Sequence, residues 1–153
     1  KKKYIDKMRS HQLLRAIRID KITTAILEAV TLLYLNKEAK QAVPAWHMME
    51  LPAEEIGRRA HLLAAKIKAA GIKAEVKPAF STIGGGSLPD QTLGTFVVAV
   101  EPEISLEAFS SRLRMGTPPV IGRIENERFL FDLRTVFPEQ EETLVEKILE
   151  NAR

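Results

Sequence analysis

At Gly71 the hydrophobic period of the chain changes, and that change constrains the fold more than any other feature. From about Ala53 to Ala70 the pattern is helical. Glu54 and Glu55 fall in the first turn, where the helix dipole favours negative charge, and Gly71 stands where a helix stops. Immediately afterwards Ile72, Ala74 and Val76 alternate with Lys73, Glu75 and Lys77, the period of a half-buried strand. The chain therefore holds both helices that bury one stripe and strands that bury one face, so the two must pack together in layers.

The same two periods sort the rest. Lys3 to Arg9 reads as a short helix with Tyr4, Ile5 and Met8 on one side, and Ser10 to Ile19 as a connection. Asp20 is an N-cap for a helix over Lys21 to Leu35, in which Ile22, Ile26, Ala29, Val30 and Leu33 recur at helical spacing. Lys37 to Pro52, with Pro44 and Trp46, reads as a second connection. Thr95 to Val100 is a compact apolar run, and Ser105 caps a helix to Met115 that turns Leu106, Phe109 and Leu113 inward. Val120 to Ile124 and Arg128 to Leu133 predict a hairpin around Glu125-Asn126-Glu127, and a final helix covers Glu139 to Ala152. This order predicts an α+β fold with a mainly antiparallel sheet packed against helices. The expected division is a linking segment, residues 1–19, and a domain, residues 20–153, that includes its leading long helix.

Composition narrows the chemistry. Among 153 residues there is no cysteine, which excludes disulfides, thiolate metal sites and cysteine nucleophiles. No run of about 18 apolar residues is present, so no membrane span is expected. The chain opens on Lys1-Lys2-Lys3 with neither Met nor a signal core, which predicts a start inside a longer cytoplasmic protein. His11, His47 and His61 share no ligand spacing, and no metal site is predicted. The net charge is +3, with much of the excess early in the chain, where a basic segment can meet phosphates or sit as a solvated face.

Three segments carry candidate chemistry. Arg15 and Arg18 stand three residues apart; on a helix both would face one side, and two planar forks of donors suit a phosphate-like anion. The simpler alternative is two surface arginines, or one paired with Asp20. Gly84-Gly85-Gly86-Ser87 is the most unusual run, either an active-site loop whose backbone meets a ligand or a connector between strands. Arg123 follows a proline-stiffened turn. It could face a ligand or join Asp132 and Arg134 in a cross-strand ion network.

Taken in order, Leu14-Arg15-Ala16-Ile17-Arg18-Ile19-Asp20-Lys21, Gly84-Gly85-Gly86-Ser87-Leu88-Pro89, and Pro119-Val120-Ile121-Gly122-Arg123-Ile124 with Leu130-Phe131-Asp132-Leu133-Arg134 resemble the carboxy-terminal part of bacterial selenocysteine synthases, the L-seryl-tRNA(Sec) selenium transferases. The resemblance covers essentially the whole chain. It implies the small domain of a fold-type-I pyridoxal-phosphate enzyme, which converts seryl-tRNA(Sec) to selenocysteinyl-tRNA(Sec) with selenophosphate. It also implies a ring-like homo-oligomer, an assembly that the chain alone is expected to lose. It places Arg15 and Arg18 on the anionic donor and Gly84 to Ser87 at the active site; because the serine carboxyl of seryl-tRNA is an uncharged ester, Arg123, a candidate substrate contact, and Arg134 are open to a structural or tRNA-end role. The Schiff-base lysine is expected upstream of Lys1, so no catalytic residue is assigned here and the chain alone is expected to be inactive. Within Pro44 to Met49, His47 stands where the family is expected to carry an arginine, and Asn126-Glu127 stands where the family's hairpin turn carries Asp-Gly. Two other readings remain open at this point. One is a related pyridoxal-phosphate lyase or transferase acting on a small amino acid, with Arg123 on its carboxylate. The other is a basic RNA-binding module, against which a 6% aromatic content counts.

Overall fold

The computed structural model describes residues 1–84 and 91–153. It divides into two compact units, Lys1–His47 and Met48–Arg153.

The first unit is helical: α1 (Lys2–Ser10), α2 (Leu14–Ile17), α3 (Lys21–Leu35), α4 (Ala39–Ala42) and the start of α5 (Pro44–Glu50). Asp20 caps α3 as its sequence position predicts. Oδ1 accepts from the backbone N–H of Ile22 at 2.8 Å and of Thr23 at 2.9 Å, and Oδ2 from the Thr23 hydroxyl at 2.8 Å. These bonds, led by the Thr23 N–H, hold the carboxyl below its ordinary value. No residue of α3 is buried, and of the predicted inward stripe only Val30 and Leu33 are half-covered. Where the pattern predicts a connector over Lys37 to Pro52, the chain instead forms α4 and α5. Pro44 does not prevent this, because a proline in the first turn lacks only an N–H that would have no partner there anyway.

The second unit contains α6 (Ala53–Ala69), β1 (Lys73–Thr82), β2 (Thr92–Glu101), α7 (Leu106–Met115), β3 (Arg123–Glu125), β4 (Arg128–Asp132) and α8 (Glu141–Asn151), with 3-10 turns at Leu133–Thr135 and Pro138–Gln140. The four strands form one antiparallel sheet in the order β1-β2-β4-β3. Gly71, at φ +88°, ends α6 in the left-handed region. Ser105 caps α7 by accepting from the Ala108 N–H at 3.2 Å. In the β3–β4 turn Asn126 and Glu127 both take positive φ, 49° and 58°, the pattern of a type I′ hairpin turn, which matches the twist of the flanking strands.

One sheet face and the helices enclose the core. Ile56, Ala60, Leu63 and Ile67 of α6 meet Ala74, Val98, Val100, Phe129 and Phe131, with Phe109 and Leu113 of α7 and Leu144, Val145 and Ile148 of α8. The rings of Phe109 and Phe129 sit edge to face at 5.1 Å between centroids, and Phe131 lies 5.0 Å from Phe129. Strand β3 begins only at Arg123, later than the pattern predicts, and Gly122 before it lies hard against β4. A Cβ there would come within 2.3 Å of the Phe129 ring and 2.7 Å of the Leu130 carbonyl oxygen.

The two units divide between His47 and Met48. The physical reason is burial: the long helix α3 contributes no buried side chain, whereas α6 contributes seven residues to the second unit's interior.

Candidate functional site

In the first unit, the backbone leaves α1 at Ser10, turns, and re-enters a helix for only one turn over Leu14–Ile17. Arg15 lies within that turn. Arg18 is its C-cap, already extended at φ −64° and ψ 138°. Helical periodicity therefore does not align the two arginines as the spacing predicts. They nevertheless line one hollow of about 620 Å3, together with Arg9, Ser10, His11 and Gln12. All of these side chains are exposed. Asp20 does not take either guanidinium, since both its oxygens are spent on the α3 cap. Arg15 and Arg18 have no carboxylate within ion-pairing distance among the described residues. Arg9 and His11 escaped the sequence reading because they lie on α1 and at its exit. Only the turn at Gln12 brings them to the same hollow. His11 Nδ1 accepts from the Leu13 N–H at 3.2 Å, which holds the ring at that turn.

In the second unit, the sheet face away from the core carries a small apolar floor of Val97, Ala99 and Leu130 with Ala79 beside it. A hollow of about 730 Å3 runs along this region, with Lys77, Arg123 and Arg128 among its lining. Arg128 is spoken for: it reaches Glu75 at 2.9 Å and Glu101 at 3.0 Å. Lys73, and then Lys73 and Arg128 by charge, hold the Glu101 carboxyl below its ordinary value. Arg123 is looser. Its Nη1 donates to the Phe80 carbonyl at 3.3 Å and its Nε stands 3.5 Å from Glu125.

The cross-strand network of Arg123, Asp132 and Arg134 does not form. Asp132 instead accepts from the hydroxyls of Ser81 at 2.5 Å and Thr95 at 2.9 Å, and from the Arg134 N–H at 3.0 Å. Arg134, only 6% exposed, donates to three carbonyls: Met48 at 2.8 Å, Leu51 at 2.9 Å and Gly94 at 2.6 Å. Burial pulls its guanidinium pKa down and the Asp132 charge opposes the shift. Arg134 is thus a staple between β2 and the entry to α6 and is not free to hold a ligand. His61, mid-helix and exposed, has its Nδ1 2.8 Å from the Gly57 carbonyl.

Of the glycine run, Gly84 leaves β1 at φ +124°, with nothing near the position a Cβ would take. Gly85, Gly86 and Ser87 lie outside the described residues. No lysine among the described residues is buried. No helix is long and apolar enough to cross a membrane among the described residues.

The fold and the two sites define a small α+β domain preceded by a basic helical segment that presents clustered arginines. A sequence model of the L-seryl-tRNA selenium transferase family matches residues 1–137, and the chain belongs to that family. It is similar to the L-seryl-tRNA(Sec) selenium transferase of Carboxydothermus hydrogenoformans, 39% identical over 143 residues that cover 92% of this chain and 31% of the relative. The Alkaliphilus oremlandii protein of the same name is 40% identical over 150 residues, covering 95% and 32%. That of Nitratidesulfovibrio vulgaris is 42% identical over 141 residues, covering 89% and 30%. The chain thus spans about a third of the length of the curated relatives it matches.

Proposed function

We propose that the whole protein to which this chain belongs is a cytoplasmic, homo-oligomeric selenium transferase that converts seryl-tRNA(Sec) to selenocysteinyl-tRNA(Sec) with selenophosphate. The chain supplies its carboxy-terminal small domain and the segment leading into it. Arg15 and Arg18 hold the anionic donor. The observation that carries this reading is their shared hollow: with Arg9 they form a cluster of guanidinium groups in which, among the described residues, no carboxylate neutralises Arg15 or Arg18, within the region matched by the family. Forked donors of this kind share a tetrahedral dianion's charge among several hydrogen bonds.

Pyridoxal phosphate, when bound, supplies the electron sink for such a reaction. With no buried lysine among the described residues, nothing in this chain is assigned to anchor that cofactor, and the anchor is proposed to come from the rest of the protein. The chain's own contribution is binding and orientation: arginines on the donor in the first unit, and in the second unit Gly84 and the run after it as a loop toward the substrate. A related transferase acting on a free amino acid would need an arginine for the carboxylate. Arg134 is committed to three carbonyls, so Arg123 is the candidate for that role, whereas in seryl-tRNA the serine carboxyl is an uncharged ester and needs no such partner.

Steady-state kinetics of the complete enzyme with selenophosphate varied tests the assignment. Arg15→Ala and Arg18→Ala should each raise the donor KM by about 10- to 100-fold, the range of a lost charge-assisted bond, and leave the seryl-tRNA KM unchanged. Lys at either position should restore only part of the loss. Unchanged donor dependence in both variants would remove these arginines from the site. Turnover of free serine at the rate of seryl-tRNA would favour the amino-acid enzyme.

A further inference from the structure

The two units differ in charge. Lys1–His47 carries ten Lys and Arg against four Asp and Glu, a net +6, while Met48–Arg153 carries thirteen against sixteen, a net −3. The chain's modest overall +3 thus hides a strongly basic segment of 47 residues. Within it, at the carboxy-terminal end of α3, lies a second hollow, of about 360 Å3, lined by Tyr34, Lys37, Ala39, Lys40 and Trp46. The two aromatic residues are twelve apart in sequence and meet directly: Trp46 Nε1 donates to Tyr34 Oη at 2.5 Å. The indole N–H is thereby satisfied, while the Tyr34 hydroxyl keeps its own hydrogen to donate elsewhere. The Tyr34 side chain is open to solvent, at 52% exposure. Lys37, in the left-handed region at φ +62°, ends α3 at the rim of the same hollow.

We propose that this hollow is a stacking site for one unpaired nucleobase of an RNA, with Lys37 and Lys40 facing the adjoining phosphates. A base needs a flat π-surface and a low-polarity cleft; its phosphates need nearby cations; and the surrounding unit supplies a field that draws a polyanion in. Charge complementarity favours RNA over a protein segment, since a neutral apolar peptide would gain nothing from the +6 surroundings. In naming an RNA, the inference rests on the reading that the whole protein acts on an aminoacylated tRNA. Its test uses this chain alone and no selenium chemistry, so it stands or falls separately from the donor kinetics.

Trp46 is the chain's only tryptophan, so its emission reports on this hollow and nowhere else. The experiment titrates the chain with a ten-nucleotide single-stranded oligoadenylate, following Trp46 quenching and the anisotropy of a labelled copy in parallel. The two curves should share one midpoint that weakens as salt rises. Tyr34→Ala should weaken binding by roughly 5- to 100-fold, the usual range for one lost stacking platform, while Tyr34→Phe keeps the ring and should bind within about twofold of the parent. Lys37→Ala should lower the salt dependence by about 0.7, one phosphate contact on a single strand. It carries the decision if Tyr34→Ala fails to fold. Anisotropy without Trp46 quenching would overturn the proposal, because the RNA would then sit elsewhere on the unit. Equal quenching by polyglutamate would overturn it in favour of a non-specific polyanion surface. A Trp46 emission shift that depends on protein concentration without RNA would assign the hollow to a second copy instead.

Discussion

The two units handle their apolar residues in opposite ways. In Met48–Arg153, α6 alone buries seven residues against a sheet whose own Val98, Val100 and Phe129 are at most 1% exposed. In Lys1–His47, helix α3 is apolar along most of its length, yet Ile22, Ile26, Leu27, Leu32 and Leu35 are each more than half exposed. The same hydrophobic effect applies to both, so the difference is one of partners. The second unit closes its own core, while the first displays an apolar helix beside a dense set of cations. A segment with that combination is organised for contact, whereas the second unit is organised for rigidity.

Substitutions of one kind placed in each unit test this contrast. The largest effect is expected for Phe109→Ala. It removes a ring packed edge to face on Phe129 and should destabilise the second unit by about 3–5 kcal/mol in urea titration. A loss under about 1 kcal/mol would mean the core is not the closed body described. Next comes Arg134→Met, which keeps the bulk but leaves the carbonyls of Met48, Leu51 and Gly94 without their donor. A loss of about 2–3 kcal/mol is expected, with amide exchange rising first around Met48 to Leu51. If exchange there stays at its parent level, the staple is not what fixes the entry to α6. The smallest effect is expected for Ile26→Ala, which removes an exposed side chain and gains slightly in helix propensity. Stability should stay within about 0.5 kcal/mol of the parent. A loss of several times that would break the comparison, because α3 would then be packed in solution.

What could be read from the sequence was what local physics decides. The Asp20 and Ser105 caps, the Gly71 stop and the span of α3 each depend on residues within four positions of one another. Both long strands reach beyond their predicted limits. Phe80 to Thr82 and Thr92 to Gly94 lack apolar alternation; they pair with each other as strand and form further bonds with Asp132, Arg123 and Arg134, all distant in sequence. The arginines divided for the same reason. Arg15 and Arg18 line one hollow, but a chain turn brings them there and not the helix face their spacing suggested. Arg134's role was invisible, since its partners lie 40 to 86 residues away. Likewise nothing in the spacing of Tyr34 and Trp46 announces a paired ring site; the two short helices after α3 make it, and Pro44 made them read as a connector.

The strand order β1-β2-β4-β3 leaves β1, ten residues long, on an outer margin of the sheet. A margin of that length would be a template for recruiting another chain into a growing ribbon. Pro78 stands in its middle and has no N–H to offer, while Lys73, Glu75 and Lys77 place alternating charges along the run before it. The opposite margin, β3, is only three residues long and wholly exposed. The sheet is thus blunted on both sides against uncontrolled polymerisation. Replacing Pro78 by Val would restore the missing donor and leave the long margin open to fibril-like stacking.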